Sequence, residues 1–545
     1  MVDIDVILIT VDCLRPDHLS CYGYKRKTSP NIDELGRTGT IFTNAFAHGG
    51  GTPESFPSIL AGANPPTNVK QYTRIMRRNR TLAELMKSLG YETGAIHSNP
   101  YLSRFYSYDR GYDYFCDSIE DTRHRRMRRV NHIFRNTFSL DLEFYLSLIM
   151  MRKPPILTAS EVNERAIRWI VSRTTKYFLW LHYMDVHQPT LPKSRYMQLV
   201  GAEAHGYYSN LFFNRELSKR EGRYSSEDLG RLNDLYDASI RYVDNCIGEL
   251  VNTLQKTGRF NKTLVILTSD HGENLGEHGR VGHGSVSEQV VRVPLIFSGP
   301  GINHEVVTQP VTHLGLMSAI RCIIEKTDSF LEPLAREYKR IGRGILSLAL
   351  NYPIQERIIT IRTDKWKYIR REDQCAGQVE SRLYDIGMDP LERYDKSKIY
   401  PAEVRAFEEQ VEQFIIANET GYESGNLREI SISCVEELAR EQIISHKLRN
   451  TQIDSASGTM SGVPTTGERA TISIKRELFN EIQAILEGSG EDFRSVEDYV
   501  EFVVREIINR KGKMNELIRK DKINEPLTRI EEEEIEQRLR RLGYA

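Results

Sequence analysis

The sequence predicts an α/β protein: a large, mostly parallel sheet covered by helices, followed by a small antiparallel-sheet subdomain and a helical tail. Three observations carry this. Residues 5–11, 176–181 and 263–268 are near-continuous in Val, Ile, Leu and aromatic side chains, the habit of strands buried on both faces. Segments of helical periodicity alternate with such runs as far as about residue 345, which is the pattern of βα units. Each apolar run also stops at acidic or imidazole residues: Asp12 after the first, Asp185 and His187 after the second, Asp270 and His271 after the third. Ligands of parallel sheets bind beyond the carboxyl ends of the strands. Carboxylates and imidazoles from three distant positions are therefore expected to meet at one edge and to form a metal site.

Taken in order, the first strand opens within a few residues of the N-terminus. Gly49-Gly-Gly-Thr-Pro-Glu-Ser-Phe-Pro-Ser-Ile-Leu-Ala-Gly62 reads as a glycine-rich approach to a helix, with Thr52 as N-cap and Pro53 at the first helical position. Residues 81–90 form a helix stopped by Gly90, followed by a strand over 91–96. Residues 102–157 interrupt the alternation with a basic patch at 123–129 and an apolar stretch at 144–151, an insertion with a solvated helical face or a lid over an anionic substrate. Residues 160–173 show helical spacing, and a longer helix starts near Ser226 and stops at Gly258. Short antiparallel strands are expected over 356–386, and a helix over 402–416. The Ser/Thr/Gly-rich segment 451–468 reads as a flexible linker. The resulting organisation is a catalytic α/β domain at 1–345, a subdomain with a small antiparallel sheet at 346–420, a helix and linker at 421–468, a separate module at 469–511 and a helical tail at 512–545.

The 545 residues, 39% of them hydrophobic, suffice for a large core. Lys plus Arg (74) nearly cancel Asp plus Glu (75), so no global field points to nucleic acid or an anionic membrane. The 7 cysteines are scattered without a CxxC pair and read as free thiols in a reducing compartment. No run approaches the roughly 20 apolar residues that span a bilayer. The early first strand leaves no room for a secretory leader, so a cytoplasmic location is expected.

Six segments, in order, carry a resemblance. They are Val11-Asp-Cys-Leu-Arg-Pro-Asp-His-Leu-Ser-Cys-Tyr-Gly-Tyr24, Asp185-Val-His-Gln-Pro189, Leu235-Tyr-Asp-Ala-Ser-Ile-Arg-Tyr-Val-Asp244, Ser269-Asp-His-Gly-Glu-Asn-Leu-Gly-Glu-His-Gly279, Val293-Pro-Leu-Ile-Phe-Ser-Gly-Pro-Gly301, and Lys365-Trp-Lys-Tyr-Ile369 with Leu383-Tyr-Asp-Ile-Gly-Met-Asp-Pro390. Over residues 1 to about 416 the chain resembles the sulfatase branch of the alkaline phosphatase superfamily. That resemblance implies Asp12, Asp270 and His271 as metal ligands. It implies His187 and His283 as groups that contact the substrate oxyanion or protonate the leaving group, and a sulfate ester or another anionic ester as substrate. His278 is read as structural. Mixed carboxylate and imidazole donors suit Mn, Zn or Fe over Ca.

Two departures from the family matter. Its nucleophile is Cys or Ser in C/S-x-P-S-R, converted to formylglycine, ten positions before a Leu-Leu-Thr-Gly glycine. Counting back ten from Gly62 selects Thr52, whereas matching S-x-P-S selects Ser55, with Ile59 where the Arg belongs. Neither register preserves the modification signal, so Thr52 is the leading nucleophile and Ser55 the alternative. The family's G-K-W-H segment is replaced by Ala95-Ile-His-Ser-Asn-Pro-Tyr101, which leaves His97 and Asn99 as candidate substrate-binding residues; Cys13 stands where many relatives carry a second Asp. An unmodified Thr keeps phosphodiesterase, phosphonate monoester hydrolase and phosphotransferase chemistry open beside sulfate ester hydrolysis. Residues 469–511 are similar to a ribbon-helix-helix module, in which Thr471 and Ser473 alternate with Ile472 and Ile474 ahead of two amphipathic helices. So few residues cannot bury their apolar surface alone. They imply homo-oligomerisation or packing on the same chain, while the sparse ribbon charge argues against nucleic acid. A catalytically inactive oligomerisation or DNA-binding protein is the reading from another class.

Overall fold

The computed structural model describes residues 3–117, 156–217, 220, 222–327, 329–340, 344–351, 356–423, 459–465 and 468–473. The first strands are β1 (Asp5–Val11), β2 (Thr40–Phe46), β3 (Glu92–Ile96), β4 (Tyr114–Cys116), β5 (Tyr177–Tyr183) and β6 (Thr263–Thr268). A short hairpin follows, β7 (Asn274–Leu275) with β8 (Val281–Gly282), then β9 (Arg292–Ser298), β10 (Glu305–Val307) and β11 (Val311–Thr312). The main sheet has nine strands in the order β10-β2-β9-β6-β1-β5-β3-β4, with β11 also paired to β2. Pairing is parallel except at β9, which runs antiparallel to both β2 and β6. An antiparallel return needs no βα crossover, and the β7–β8 hairpin occupies that connection.

The apolar runs are continuous because both faces of the sheet are covered. On β1, Val6 and Leu8 enter one core while Ile7, Ile9 and Val11 enter the other; on β6, Leu264 and Ile266 are set against Val265 and Leu267 in the same way. On β5, Phe178 and Trp180 face the first core and Tyr177, Leu179 and Leu181 the second. The helix Ser226–Lys256 packs its apolar stripe, including Leu232, Ile240, Val243 and Ile247, into the second core. The expected helices at 81–90 and 160–173 are Leu82–Ser88 and Ala159–Val171. Each starts at a Thr capping box, Thr81 with Glu84 and Thr158 with Glu161, in which side chain and backbone satisfy each other reciprocally.

A four-stranded antiparallel sheet follows: β12 (Gly344–Asn351), β13 (Glu356–Thr363), β14 (Trp366–Asp373) and β15 (Gln378–Asp385). The sequence suggests a domain boundary at 345, but β12 runs through that point. Its residues serve both sides: Leu346 and Leu348 pack under the helix Pro401–Glu423, while Ile345 and Ala349 pack against Phe46 and Val291. This strand also hydrogen-bonds the loop before Thr52, with Gly50 N donating to Leu348 O at 2.8 Å and Leu348 N to His48 O at 2.9 Å.

The described residues fall into two compact units, one within 3–423 and the other comprising 459–465 and 468–473. In the second, β16 (Thr459–Thr465) and β17 (Glu468–Ser473) form an antiparallel hairpin. Part of the expected linker is therefore a strand, and the expected ribbon pairs within its own chain. The two helices expected beyond it, the basic patch at 123–129, the stretch at 144–151 and the tail at 512–545 lie outside the described residues. Among the described residues no helix is long and apolar enough to cross a membrane.

Candidate active site

The site forms where β1, β5 and β6 end. Asp12 follows β1 directly, and its N–H continues the ladder by donating to Tyr183 O at 2.9 Å. Cys13 then adopts a left-handed φ of 60°, which turns the chain sharply after the strand. Ser269 ties the two strand ends together: its hydroxyl accepts from Leu14 N at 2.9 Å and donates to Val11 O at 2.6 Å. Asp270 and His271, fully buried, thereby lie beside Asp12.

Thr52 is the first residue of the helix Thr52–Ala61, and Gly51 is its N-cap. The sequence pattern suggests Thr52 as the cap. Instead its hydroxyl donates to Asp270 Oδ2 at 3.0 Å. The approach needs glycines: a Cβ on Gly50 would lie 2.1 Å from Ser285 O, and one on Gly49 would lie 2.5 Å from Ser55 Oγ. Ser55, also buried, donates its hydroxyl to Gly49 O at 3.1 Å, a loop contact. Asn99 Nδ2 reaches Asp12 Oδ2 at 3.2 Å and Thr52 Oγ1 at 3.4 Å, while its Oδ1 accepts from Tyr101 N. His97 goes elsewhere, packed against the rings of Phe115 and Trp180, and burial holds it neutral, its pKa well below the usual imidazole range.

His271 donates from Nδ1 to Gly272 O at 2.9 Å, which leaves Nε2 facing Asp270 Oδ2 at 3.5 Å and Asp12 Oδ1 at 3.8 Å. His182, penultimate in β5 and absent from the sequence candidates, sets Nε2 3.3 Å from Asp12 Oδ2. Neither Nε2 makes a hydrogen bond. Burial raises the proton affinity of both carboxylates; with no cation bound, imidazoles that carry a proton toward Asp12, His182 first, hold it far below the usual carboxylate range. Asp270 is pushed up by burial and then by the charge of Asp12. Two buried carboxylates, a hydroxyl and imidazole lone pairs without donors are a donor set that fits a divalent cation.

Beside this set lies a second layer. His187 and His283 stand with ring centroids 5.0 Å apart, and His283 stacks on His271 at 4.7 Å. His187 donates from Nδ1 to Gln188 O, and burial lowers its pKa to about 4. His283 Nδ1 lies 3.6 Å from Glu273 Oε1. Burial alone would lower His283, but Glu273 outweighs it and raises the pKa. Glu273 is fully buried and is a second residue that sequence reasoning misses. The Cys13 thiol, also buried, is pushed well up by burial and by Glu273, Asp12 and Asp270, and it donates to Asp12 Oδ1 at 3.2 Å. His278 is exposed on a turn. The arrangement thus sets a hydroxyl over a cation-type donor set, with one neutral and one carboxylate-paired imidazole nearby.

A family model described as Sulfatase matches residues 4–321. Iduronate 2-sulfatase of Homo sapiens is 27% identical over 338 residues, covering 55% of this chain and 60% of that protein. Arylsulfatase K of Gallus gallus is 26% identical over 449 residues, covering 74% of this chain and 81% of that protein. The chain thus spans about three fifths of the length of the iduronate 2-sulfatases it matches. Among solved structures, phosphonate monoester hydrolase of Agrobacterium radiobacter superposes with a TM-score of 0.54 at 18% identity, over 76% of this chain and 96% of that one. At that identity the likeness is one of fold. With the family model matched over more than half its length, the chain belongs to the sulfatase family.

Proposed function

We propose that the protein is a metal-dependent ester hydrolase that cleaves a sulfate ester or phosphoester through a covalent intermediate on unmodified Thr52. The observation that carries this is the 3.0 Å hydrogen bond from the Thr52 hydroxyl to Asp270 Oδ2, at a helix start. Asp12, Asp270 and His271 would hold the cation, with Thr52 Oγ1 beside them. When bound, the cation supplies positive charge that lowers the pKa of a hydroxyl and offsets charge on ester oxygens. At the start of the Thr52–Ala61 helix the Thr52 N–H offers a donor to those oxygens, Pro53 having none. Asn99 donates to both Asp12 and Thr52 and so fixes the nucleophile's angle.

Two steps follow. Thr52 Oγ1 passes its proton to Asp270, to which the hydroxyl already points, and bonds to sulfur or phosphorus as the ester oxygen leaves with a proton from His283, whose pKa Glu273 raises. Water then attacks the Thr52 ester with neutral His187 accepting one of its protons, the inorganic anion or monoester is released as Thr52 takes its proton back from Asp270, and the proton on His187 passes to the neighbouring His283 to reset the site. The similar iduronate 2-sulfatase and arylsulfatase K favour a sulfate ester. Thr52 itself favours a second reading, a phosphodiesterase, phosphonate monoester hydrolase or phosphotransferase, because formylglycine arises from Cys or Ser. Turnover of aryl sulfate, aryl phosphate, bis-aryl phosphate and aryl phosphonate, each with Mn, Zn, Fe or Ca after chelation, decides between them. Turnover should require metal, and an intact mass without an aldehyde is expected. Full activity after chelation, or formylglycine found at position 52 or 55, would remove the proposal.

A further inference from the structure

We infer that His182 is a further ligand of the cation that Asp12, Asp270 and His271 would hold; the inference rests on the metal-dependent reading above. His182 is fully buried in β5, and a buried imidazole nitrogen without a partner is costly unless something outside the protein chain satisfies it. Its Nε2 makes no hydrogen bond. Yet the ligand atoms of Asp12, His182 and Asp270 all lie within 4.8 Å of one another, and Nε2 is 3.3 Å from Asp12 Oδ2. Metal–ligand bonds of about 2.0–2.2 Å place neighbouring donors roughly 3–3.5 Å apart, so the spacing is that of two ligands on one ion.

The other ring nitrogen has the partner that a metal-bound tautomer requires. Nδ1 lies 2.9 Å from Thr10 Oγ1, the cross-strand partner in the β1–β5 ladder. Trp180 Nε1 donates to the same oxygen at 3.0 Å, and Thr10 Oγ1 donates to Leu181 O at 3.2 Å. With the threonine proton directed at Leu181, the oxygen accepts from both Trp180 and His182 Nδ1–H. In that arrangement Trp180 Nε1, Thr10 Oγ1 and His182 Nδ1 are all satisfied and Nε2 carries a bare lone pair. The ring cannot swing away, because it stands edge-on to Phe56 at 5.1 Å and 89°, and Phe56 belongs to the same helix as Thr52. An orienting hydrogen bond on one nitrogen and an open lone pair on the other is how metal-ligating histidines are held. A second imidazole moves the site away from all-oxygen ligation and so away from Ca and Mg.

The competing role is a purely positioning one, in which Nε2–H is turned on Asp12 and His271 is the sole imidazole ligand. Pulsed EPR of the full-length protein loaded with Mn2+ counts directly bound imidazole nitrogens and separates the two. Two are expected in the unaltered protein and one in His182→Gln, with Co2+ affinity, read from visible absorption, falling at least about tenfold. Thr10→Val, which removes the orienting partner but keeps the strand's shape, should weaken Co2+ binding by about 10- to 100-fold. A single bound nitrogen in the unaltered protein overturns the inference whether or not a variant folds, as does an unchanged count in His182→Gln. If the protein binds metal through one imidazole and still turns over its ester, only the His182 assignment fails. If no divalent ion binds at all, the metal-dependent reading fails with it.

Discussion

Thr52 and Ser55 are both buried hydroxyls three residues apart on one helix, and their partners separate them. Thr52 faces a carboxylate beside a second carboxylate, whereas Ser55 faces the carbonyl of Gly49. Thr52→Ala should therefore lower kcat by about 10⁴-fold or more, as loss of a nucleophile does. Ser55→Ala should cost activity only through the loop, and a dead Ser55→Ala beside an active Thr52→Ala would reverse the assignment. Glu273→Gln keeps the volume but removes the charge that raises the His283 pKa, so kcat should fall about 10- to 100-fold, the cost of losing a carboxylate behind a functional histidine. An unchanged kcat would show that His283 does not rely on Glu273. These residues were not equally legible. Asp12, Asp270 and His271 announce themselves because each follows a buried strand. His182 sits inside its strand, where its only sequence signal is a polar residue in an otherwise apolar run. Thr10 gives the same signal in β1, and the ladder pairs the two. Glu273 carries no signal of its own in the sequence, and its burial shows only in the fold. The direction of the Thr52 hydroxyl depends on Asp270, more than 200 residues away in the chain, so no local rule reveals it.

Elements hold these side chains in place, and the helix Ser226–Lys256 shows how. From its buried face Asp244 reaches the start of the helix Pro30–Thr38. It accepts from Asn31 N at 2.8 Å, Ile32 N at 2.9 Å and Asn31 Nδ2 at 2.8 Å, and pairs with Arg241 at 2.7 Å. A carboxylate there satisfies backbone donors that the second helix cannot use. Burial nevertheless pushes its pKa up to about 6, against 3.8 for the free side chain. The folded state then binds the proton more tightly than the unfolded chain, so the associated stability is fully present below pH 3.8 and is lost as pH rises through about 6. The stability advantage of the unaltered protein over Asp244→Asn should accordingly be larger at pH 4 than at pH 7.5, measured as a difference in Tm. A difference that grows with pH would mean that the charged form is the better-held one. At this scale the sequence was informative wherever burial was two-sided: long apolar runs became β1, β5 and β6, and capped periodic segments became helices. It was least informative for β12, whose alternate residues serve two different layers, and for the reversed direction of β9, which depends on the connection and not on the strand's own composition.

For the whole molecule, the groups assigned to chemistry lie between Asp12 and His283, and the cores that support them draw on no described residue beyond Ile415. The second unit supplies none of them. The α/β architecture could be read from the sequence because the strand and helix periodicities agree with one another. The role of residues 469–511 could not, because their apolar periodicity names no partner. In the hairpin of β16 and β17, Ile472 pairs with Met460 and Thr471 with Ser461, so one edge of the expected ribbon is already occupied by its own chain. The sequence expectation is that these roughly forty residues cannot cover their apolar side chains alone, and we propose that a second copy covers them. Deleting 469–511 should then lower the mass found by light scattering while leaving ester turnover per chain within about twofold, since none of the groups assigned to chemistry lies in that segment. A protein that is monomeric both before and after the deletion would refute the pairing, and one that loses turnover along with mass would mean that the site depends on the assembled state.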